Sequence, residues 1–391
     1  MDRIADYNQL AATMLKHVED GSTDQGSSVL ELPADTYTDP ARWAREVEMV
    51  FKRLPLLVGF TAEMPRAGDY KAMDFVGVPL LVTRGRDGTV RAFLNVCAHR
   101  GAPVAPTGHG SAGRFTCPYH GWTYANDGKL IGIADRAKFG DIDASCRNLT
   151  QLPCEERAGL IFAVLTPGMP LDLEGFLGGM LEELRHFKLE TWHYHGHREI
   201  AGANWKVAYD GYLEGYHFAT LHSATLLPKT IPDVMQFKAY GPHMRISFAG
   251  KNIAELRELP PDQWYQREGT CFRVVRTLFP NISISLSHGV GQIAQIIPGP
   301  TPDRNRTILN YLTPHAPQGE KEKQDLEQSV QWIFDVTSNE DYAMGLKIQN
   351  CLQSNALKTV LFGRNERGNQ FFHRWVDYTL DARPGAQPPI L

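Results

Sequence analysis

The sequence predicts an α+β protein: a short helical stretch, then a small all-β domain, then a larger domain built on an antiparallel sheet with flanking helices. Three observations carry that expectation. Residues 1–52 place apolar side chains at helical spacing. From about residue 54 to 164 the pattern changes to short strand-like runs separated by Gly-containing turns. Beyond residue 192 comes a long β-rich region, closed by a helical stretch over 319–355.

In order, Ala5–Val18 has a helical apolar stripe and ends in the polar, Gly/Ser-rich break Gly21–Ser28. A second helix is predicted from Asp39-Pro40, with Asp as N-cap and Pro at the first helical position, running to about Phe51. Ala72–Val76, Pro79–Arg84 and Val90–Asn95 read as strands, with turns at Arg86-Asp87-Gly88 and Asn126-Asp127-Gly128. Leu160–Leu165 reads as a buried strand. A helix over Leu173–Phe187 follows the Gly168–Pro170 boundary. Strands are then expected at Trp192–Ile200, Met244–Ala249, Cys271–Leu278, Ile282–His288, Val290–Ile297 and Arg306–Pro314. Gly319–Asn355 reads as two helices hinged near Thr337–Asn339, and the tail after Arg383 as extended.

The chain has 391 residues, a net charge of −4 and no basic block, which argues against nucleic acid as a partner. The longest apolar runs, near Leu54–Phe60 and Leu160–Leu165, are too short to span a bilayer, and the first residues lack the order of a signal peptide. Six cysteines in a chain of this length do not indicate a disulfide scaffold. Cys146, Cys154, Cys271 and Cys351 are expected as buried thiols, in a cytoplasmic setting.

The chemistry concentrates first in Cys97-Ala98-His99-Arg100-Gly101 and Cys117-Pro118-Tyr119-His120-Gly121-Trp122. Each short segment offers one thiolate and one imidazole. Structural zinc of the Cys₂His₂ kind commonly keeps its two Cys together and its two His together. Here the types are mixed within each segment. Two antiparallel loops of this kind present both sulfurs to one metal and both imidazoles to a second. That is the ligand set of a Rieske [2Fe–2S] cluster. Glycines 101, 108, 110, 113 and 121 allow the tight turns that bring backbone amides toward the sulfurs. Zinc is the rival reading.

A second constellation lies in Asn204–His222. Asp210, Glu214 and His217 fall at i, i+4 and i+7, which on a continuous helix share one face. His222 is five residues beyond His217, about 140° around an ideal helix, so a bulge or helix end is expected near Ala219–Leu221. Two His and one carboxylate make the facial triad of non-haem Fe(II) oxygenases. The third ligand must come from elsewhere; Asp341 is the best candidate and Glu340 the runner-up. By itself His-x₄-His is a weak signal, and the acidic pair at 340–341 taken alone is more often a solvated helix face. The Cys/His loops upstream strengthen both.

With these segments in view, the chain resembles the α (large terminal oxygenase) subunit of the Rieske non-haem iron aromatic-ring-hydroxylating oxygenases. The resemblance rests on Phe93–Gly101, Cys117–Trp122, Asn204-Trp205-Lys206 leading to Glu214-Gly215-Tyr216-His217 and His222, and Asp341 with Gln349. It implies an all-β Rieske domain (53–166) inserted in a catalytic domain, with 1–52 as the N-terminal helical part of that domain and 167–391 as its mononuclear-iron part. It implies a homotrimer in which one subunit's cluster feeds the neighbour's iron. The carboxylate three residues before the first iron His bridges the two centres; here it is Glu214. Many members have Asp there. Glu resembles the branch that oxidises quaternary ammonium compounds such as carnitine or glycine betaine.

The expected roles follow. Cys97, His99, Cys117 and His120 hold the cluster, His217, His222 and Asp341 hold iron, and Glu214 couples them, with Asp210 tuning the same path or serving only as a helix-face carboxylate. Electrons come from NADH or NADPH through a reductase, directly or by way of a ferredoxin. Phe218, Leu221, Leu226, Met235, Phe237, Phe248, Ile284, Leu286 and Ile297 are candidates to line a pocket, though each taken singly reads first as ordinary core, and His288 is a candidate orienter that reads first as a structural histidine. The main reading is O₂-dependent hydroxylation of an aromatic or other small organic substrate. The alternative is monooxygenation of a quaternary ammonium compound, which calls for an aromatic cage, with Tyr212, Tyr240, Trp264 and Phe272 available. A non-catalytic redox or metal-binding protein is the third reading.

Overall fold

A computed structural model describes residues 2–286, 289–381 and 386–391; His288 and Arg383 lie outside the described residues. The α-helices are α1 (Arg3–Asp20), α2 (Pro40–Glu46), α3 (Leu173–Leu177), α4 (Gly179–Arg185), α5 (Trp205–Asp210), α6 (Gly319–Val336), α7 (Ala343–Gln353) and α8 (Arg367–Asp381). The chain divides into two compact units. One comprises Met1–Val50, Leu177–Glu183 and Tyr194–Leu391, the other Phe51–Phe176 and Leu184–His193. No helix among the described residues is long and apolar enough to cross a membrane.

The larger unit is organised by a seven-stranded sheet in the spatial order His193–Gly202, Asn305–Thr313, Gly291–Pro298, Ile282–Ser285, Phe272–Leu278, His243–Gly250, Thr230–Tyr240. From Asn305–Thr313 onward every neighbouring pair is antiparallel. One end of α1 explains itself physically: Gly21 takes a left-handed φ of 58° and its N–H caps the His17 carbonyl. Tyr7, Leu10, Ala11 and Met14 on its buried stripe pack against Val234, Ala249, Phe272 and Val274 of the sheet. Asp39 caps α2 as the sequence predicts, accepting from Ala41 N and Arg42 N.

The sheet also buries charge. Arg276 is 0 % exposed and reaches Glu183 Oε1 at 2.8 Å, Tyr7 OH at 2.6 Å and Glu268 Oε1 at 2.5 Å. Arg245, 1 % exposed, reaches Asp6 Oδ2 at 2.5 Å. The buried arginines persist because each is paired and hydrogen-bonded to carboxylates, Glu183 buried with Arg276 and Asp6 and Glu268 half-buried beside them.

The smaller unit holds a five-stranded sheet (Gln151–Leu152, Val90–Leu94, Val78–Arg84, Asp69–Phe75, Gly108–Ser111) and two three-stranded ones. Its core gathers Phe93, Val104, Phe115, Trp122 and Tyr124 around Cys97 and Cys117.

Several local expectations are corrected. The stretch Asp210–His217 is not one helix: α5 ends at Asp210, and a 3-10 turn covers Tyr216–Ala219. Gly211 and Gly215 interrupt it, so Glu214 stands in the connecting loop. The expected break near residue 219 is present as the end of that 3-10 turn. The helix over 173–187 breaks at Gly178, which has a φ of 51°. The hinge near Thr337–Asn339 is a π segment, Thr337–Tyr342, which joins α6 to α7 with helical backbone at both junctions, Val336 and Ala343; a second follows α2 at Val47–Phe51. All six cysteines are free, but Cys146 and Cys351 are exposed rather than buried.

Candidate metal centres

In the smaller unit the two Cys/His segments repeat one backbone design. Cys97 N donates to Ala102 O at 2.8 Å and Gly101 N to Cys97 O at 2.9 Å; Cys117 N donates to Trp122 O at 2.8 Å and Gly121 N to Cys117 O at 3.0 Å. Gly101 and Gly121 both take left-handed φ values, 83° and 70°, which a Cβ would strain. The loops are thus near-copies that turn a thiol and an imidazole the same way. The thiols are 2 % and 3 % exposed. Tyr124 OH accepts from Ala98 N at 2.9 Å and lies 3.3 Å from Cys97 Sγ. The His99 and His120 rings stand 4.6 Å apart, with Trp122 stacked on His99.

The decisive detail is at the ring nitrogens. Nδ1 of His99 and Nδ1 of His120 are both buried without a hydrogen-bond partner. A buried polar atom without a partner is costly, and two of them, on rings 4.6 Å apart in the same two loops that carry the buried thiols, are what a metal group satisfies. Partial desolvation, with His120 and Arg100 nearby, holds His99 below the ordinary imidazole value, so its lone pair is free at neutral pH. The four residues fit a Rieske cluster.

In the larger unit His217, His222 and Asp341 bring one ligand atom each to within 4.8 Å of one another. His222 Nε2 lies 3.0 Å and His217 Nε2 3.6 Å from Asp341 Oδ1. Both imidazoles therefore aim Nε2 at one point. Each Nδ1 is held from behind by its own carboxylate. Glu214 Oε1 bonds His217 Nδ1, and Glu340 Oε2 lies 2.5 Å from His222 Nδ1. Thr225 Oγ1 donates to the same Glu340 oxygen at 2.8 Å. Such carboxylate–imidazole pairs fix tautomer and orientation at metal sites. The sequence weighed Glu340 as an alternative ligand; the structure puts it on the Nδ1 side of His222, away from Asp341.

Local folding explains the arrangement. Glu214 Oε2 accepts the N–H groups of Tyr216 and His217, capping the 3-10 turn whose first residues would otherwise leave them bare. The π segment widens one turn so that the successive carboxylates Glu340 and Asp341 both reach His222. Gln349, one of the matched positions, accepts from Asn204 N at 3.0 Å, while Asn204 caps α5 through Lys206 N. Burial opposes a charge on His217, but hydrogen bonds to Asp341 and Glu214 overcome it and raise it to about 9.

A cavity of about 180 Å³ opens beside His217 and Asp341. Asp210, Glu214 and Glu366 are on its wall with Asp341, over an apolar floor that includes Val207, Met344 and Phe362. No lysine or arginine is among the described residues lining it. Burial and the carboxylates of Glu214, Asp210 and Asp233 push Glu366 up to about 7. Of the residues expected to form a pocket, Leu221 lines this cavity; Phe218 packs on both iron-site imidazoles and on Phe248. The four aromatics considered for a cage are not assembled. Trp264 and Phe272 belong to the core under α1, and Tyr240 lies by Lys238. Only Tyr212, whose hydroxyl is 3.5 Å from that of Tyr342, is near the centre.

The Rieske [2Fe-2S] domain family matches residues 55–152, and the family described as ring hydroxylating alpha subunit (catalytic domain) matches residues 189–382. The chain belongs to the Rieske ring-hydroxylating oxygenase alpha subunits. It is 32% identical over 196 residues to the glycine betaine monooxygenase oxygenase subunit of Chromohalobacter salexigens, covering 50% of this chain and 44% of that protein. It is 28% identical over 326 residues to the anthranilate 1,2-dioxygenase large subunit of Burkholderia cepacia, covering 74% and 75%. The match to the first of these relatives thus spans less than half of its length. In fold it is similar to a quaternary ammonium Rieske monooxygenase in complex with L-carnitine, with a TM-score of 0.77, 21% identity and coverage of 91% and 96%. It is similar too to naphthalene 1,2-dioxygenase with indole bound, with a TM-score of 0.72, 19% identity and coverage of 90% and 93%.

Proposed function

We propose that this protein is the terminal oxygenase component of a multicomponent Rieske oxygenase, oxidising a small organic substrate with O₂ and electrons from NAD(P)H delivered by a reductase. In this reading residues 53–166 form the cluster-bearing domain, and 1–52 with 167–391 form the catalytic one. The observation that carries the reading is the convergence of His217 Nε2, His222 Nε2 and Asp341 Oδ1 on one point, with each imidazole backed by a carboxylate. Cys97 and Cys117, through their thiolates, and His99 and His120, through the Nδ1 atoms left without a partner, would hold a [2Fe–2S] cluster, which would supply one-electron transfer.

A mononuclear Fe(II) held by two imidazoles and one carboxylate supplies open positions for O₂ and the redox chemistry of hydroxylation. The chain's own groups do the rest. Glu214 Oε1 and Glu340 Oε2 accept hydrogen bonds from Nδ1–H of His217 and His222, which keeps both Nε2 lone pairs turned inward. Phe218 packs edge-on against both rings and limits their rotation. Glu214 Oε2 spends its lone pairs on two backbone N–H groups of its own loop. As the bridge to a cluster histidine of a neighbouring subunit in a homotrimer, it would use the carboxylate edge left over. The additional methylene of Glu over Asp lets it fold back on the 3-10 turn while Oε1 stays on His217.

A second reading, monooxygenation of a quaternary ammonium compound, is favoured by the charge of the cavity. A wall with Glu214 and Glu366 and no lysine or arginine among the described lining residues suits a neutral or cationic substrate better than a benzoate-like anion. Oxygen uptake by the reconstituted system, with benzoates, neutral arenes, carnitine and glycine betaine compared, separates the readings. Uptake coupled to none of these classes would count against both.

A further inference from the structure

Asp210 is held more firmly than any helix-face carboxylate needs to be. Tyr37 OH donates to its Oδ2 at 2.8 Å, His373 Nε2 lies 2.9 Å from its Oδ1, and Asn369 Nδ2 reaches its Oδ1 at 3.3 Å. Asn369 Nδ2 also donates to the Asp210 backbone carbonyl, the last of α5, at 3.0 Å. These partners are enclosed: His373 and Asn369 are 1 % exposed and Tyr37 2 %. Burial and the adjacent Asp210 push the Tyr37 hydroxyl well above its ordinary value, so it stays a donor. The His373 ring is clamped by Phe362 stacked at 5.1 Å and Tyr37 edge-on at 5.7 Å.

A second contact lies one residue before Asn369. At Gly368 a Cβ would sit 2.3 Å from Leu213 O and 3.0 Å from Phe237 Cε1. Only glycine lets α8 approach the loop between Asp210 and Glu214 so closely. Helix α8 thus grips both ends of that loop, the side chain and carbonyl of Asp210 and the carbonyl of Leu213. The next residue is Glu214, and His217 is three further on.

We propose that Gly368, Asn369 and His373 of α8, with Tyr37, are positioning residues for the metal centre: by fixing Asp210 and Leu213 they set the loop that aims Glu214 and His217. This rests on the reading of His217, His222 and Asp341 as iron ligands. It places the determinant of ligand geometry some 160 residues from the histidine it orients, on a helix that supplies no ligand. It also gives Asp210 a role short of contact with substrate or metal: the carboxylate that transmits the grip of α8.

The test uses the cluster-loaded protein, titrated anaerobically with ferrous ion, with the EPR spectrum of the ferrous–nitrosyl adduct as a second readout. In His373→Leu and Asn369→Leu, ferrous affinity should fall about tenfold, as for other groups that orient metal ligands, and the nitrosyl spectrum should change in rhombicity, while the cluster signal stays. His373→Gln, which keeps a donor, should recover most of both. Tyr37→Phe, which removes one hydroxyl and disturbs packing least, should shift affinity two- to threefold in the same direction. Val376→Ala, a buried position on the same helix, should lower the melting temperature and leave affinity and spectrum unchanged. Wild-type affinity and spectrum in both leucine variants and in Tyr37→Phe, or an equal change in Val376→Ala, would overturn the proposal. A wild-type protein that takes up no ferrous ion lost on His217→Ala would overturn the metal reading, and the proposal with it.

Discussion

Glu340 offers the sharpest test of how the mononuclear centre is built. Its Oε2 lies 2.5 Å from His222 Nδ1 and takes a second hydrogen bond from Thr225 at 2.8 Å. Asp341 is on the other side of the same ring, 3.0 Å from Nε2. In Glu340→Gln the amide oxygen still accepts from Nδ1, but the charge is gone. A hydrogen bond to a charged group contributes about 1.5–3 kcal/mol against about 1 for a neutral one, so the loss is roughly 1–1.5 kcal/mol, near a factor of ten in ferrous affinity. In Glu340→Ala the Nδ1 donor and the Thr225 hydroxyl both lose their partner, and the loss grows to about 2–3 kcal/mol, roughly a hundredfold. Asp341→Ala removes a ligand and should cost more than either. Chelator-competition titration of the cluster-loaded variants measures all three. The reasoning fails if Glu340→Ala empties the centre while Asp341→Ala keeps its iron, because the ligand and its support would then be exchanged.

Three further outcomes are expected. Glu214→Gln and Glu214→Ala should keep a reducible cluster and yet lose most electron delivery to the iron, read by single-turnover oxidation of the pre-reduced protein; full turnover would remove the bridge. In the smaller unit burial opposes ionisation of Glu63, but Lys71 and His109 hold it at about 2. A carboxylate depressed on folding stabilises above its unfolded value and loses that contribution as pH falls, so this unit should weaken between roughly pH 4.5 and 2. Lys71→Met should flatten that slope in acid melts, and an unchanged slope would discount the pair. Arg276→Met takes the guanidinium from buried Glu183 and half-buried Glu268 and leaves Arg3 as their remaining cation, and should destabilise the larger unit by about 2–3 kcal/mol in urea unfolding; a loss below about 1 kcal/mol would mean that Arg3 alone balances the two carboxylates.

What was legible in the sequence was the chemistry that is local. Cys97, His99, Cys117 and His120 lie on two loops whose glycines announce their turns, and the structure repeats the same hydrogen bonds in both. Six of the seven strands of the large sheet were legible as apolar runs bounded by turn residues, since strands such as His243–Gly250 and Asn305–Thr313 are buried on both faces; Thr230–Tyr240, with Pro232 and Asp233 inside it, was not. What was not legible depended on distant partners or on rare backbone. The spacing of Asp210, Glu214 and His217 fits a helix, but Gly211 and Gly215 end it, and their shared face exists only as a loop. The π turn over Thr337–Tyr342 has no periodicity of its own, so which of two adjacent carboxylates faces the metal was open. Arg245 and Arg276 sit in strands where a charged residue ordinarily points to water; only the partners Asp6 and Glu183, far along the chain, explain their burial. Likewise nothing near Asp210 in the sequence announces His373.

The central claim is that this one chain carries two different iron centres. Iron, zinc and acid-labile sulfide analysis with low-temperature EPR on the dithionite-reduced protein, repeated on His217→Ala, tests it most directly. The account predicts a Rieske-type signal in both proteins, with close to three iron atoms per chain in the wild type and one fewer in the variant. Zinc with no such signal, or an iron count that His217→Ala leaves unchanged, would contradict it.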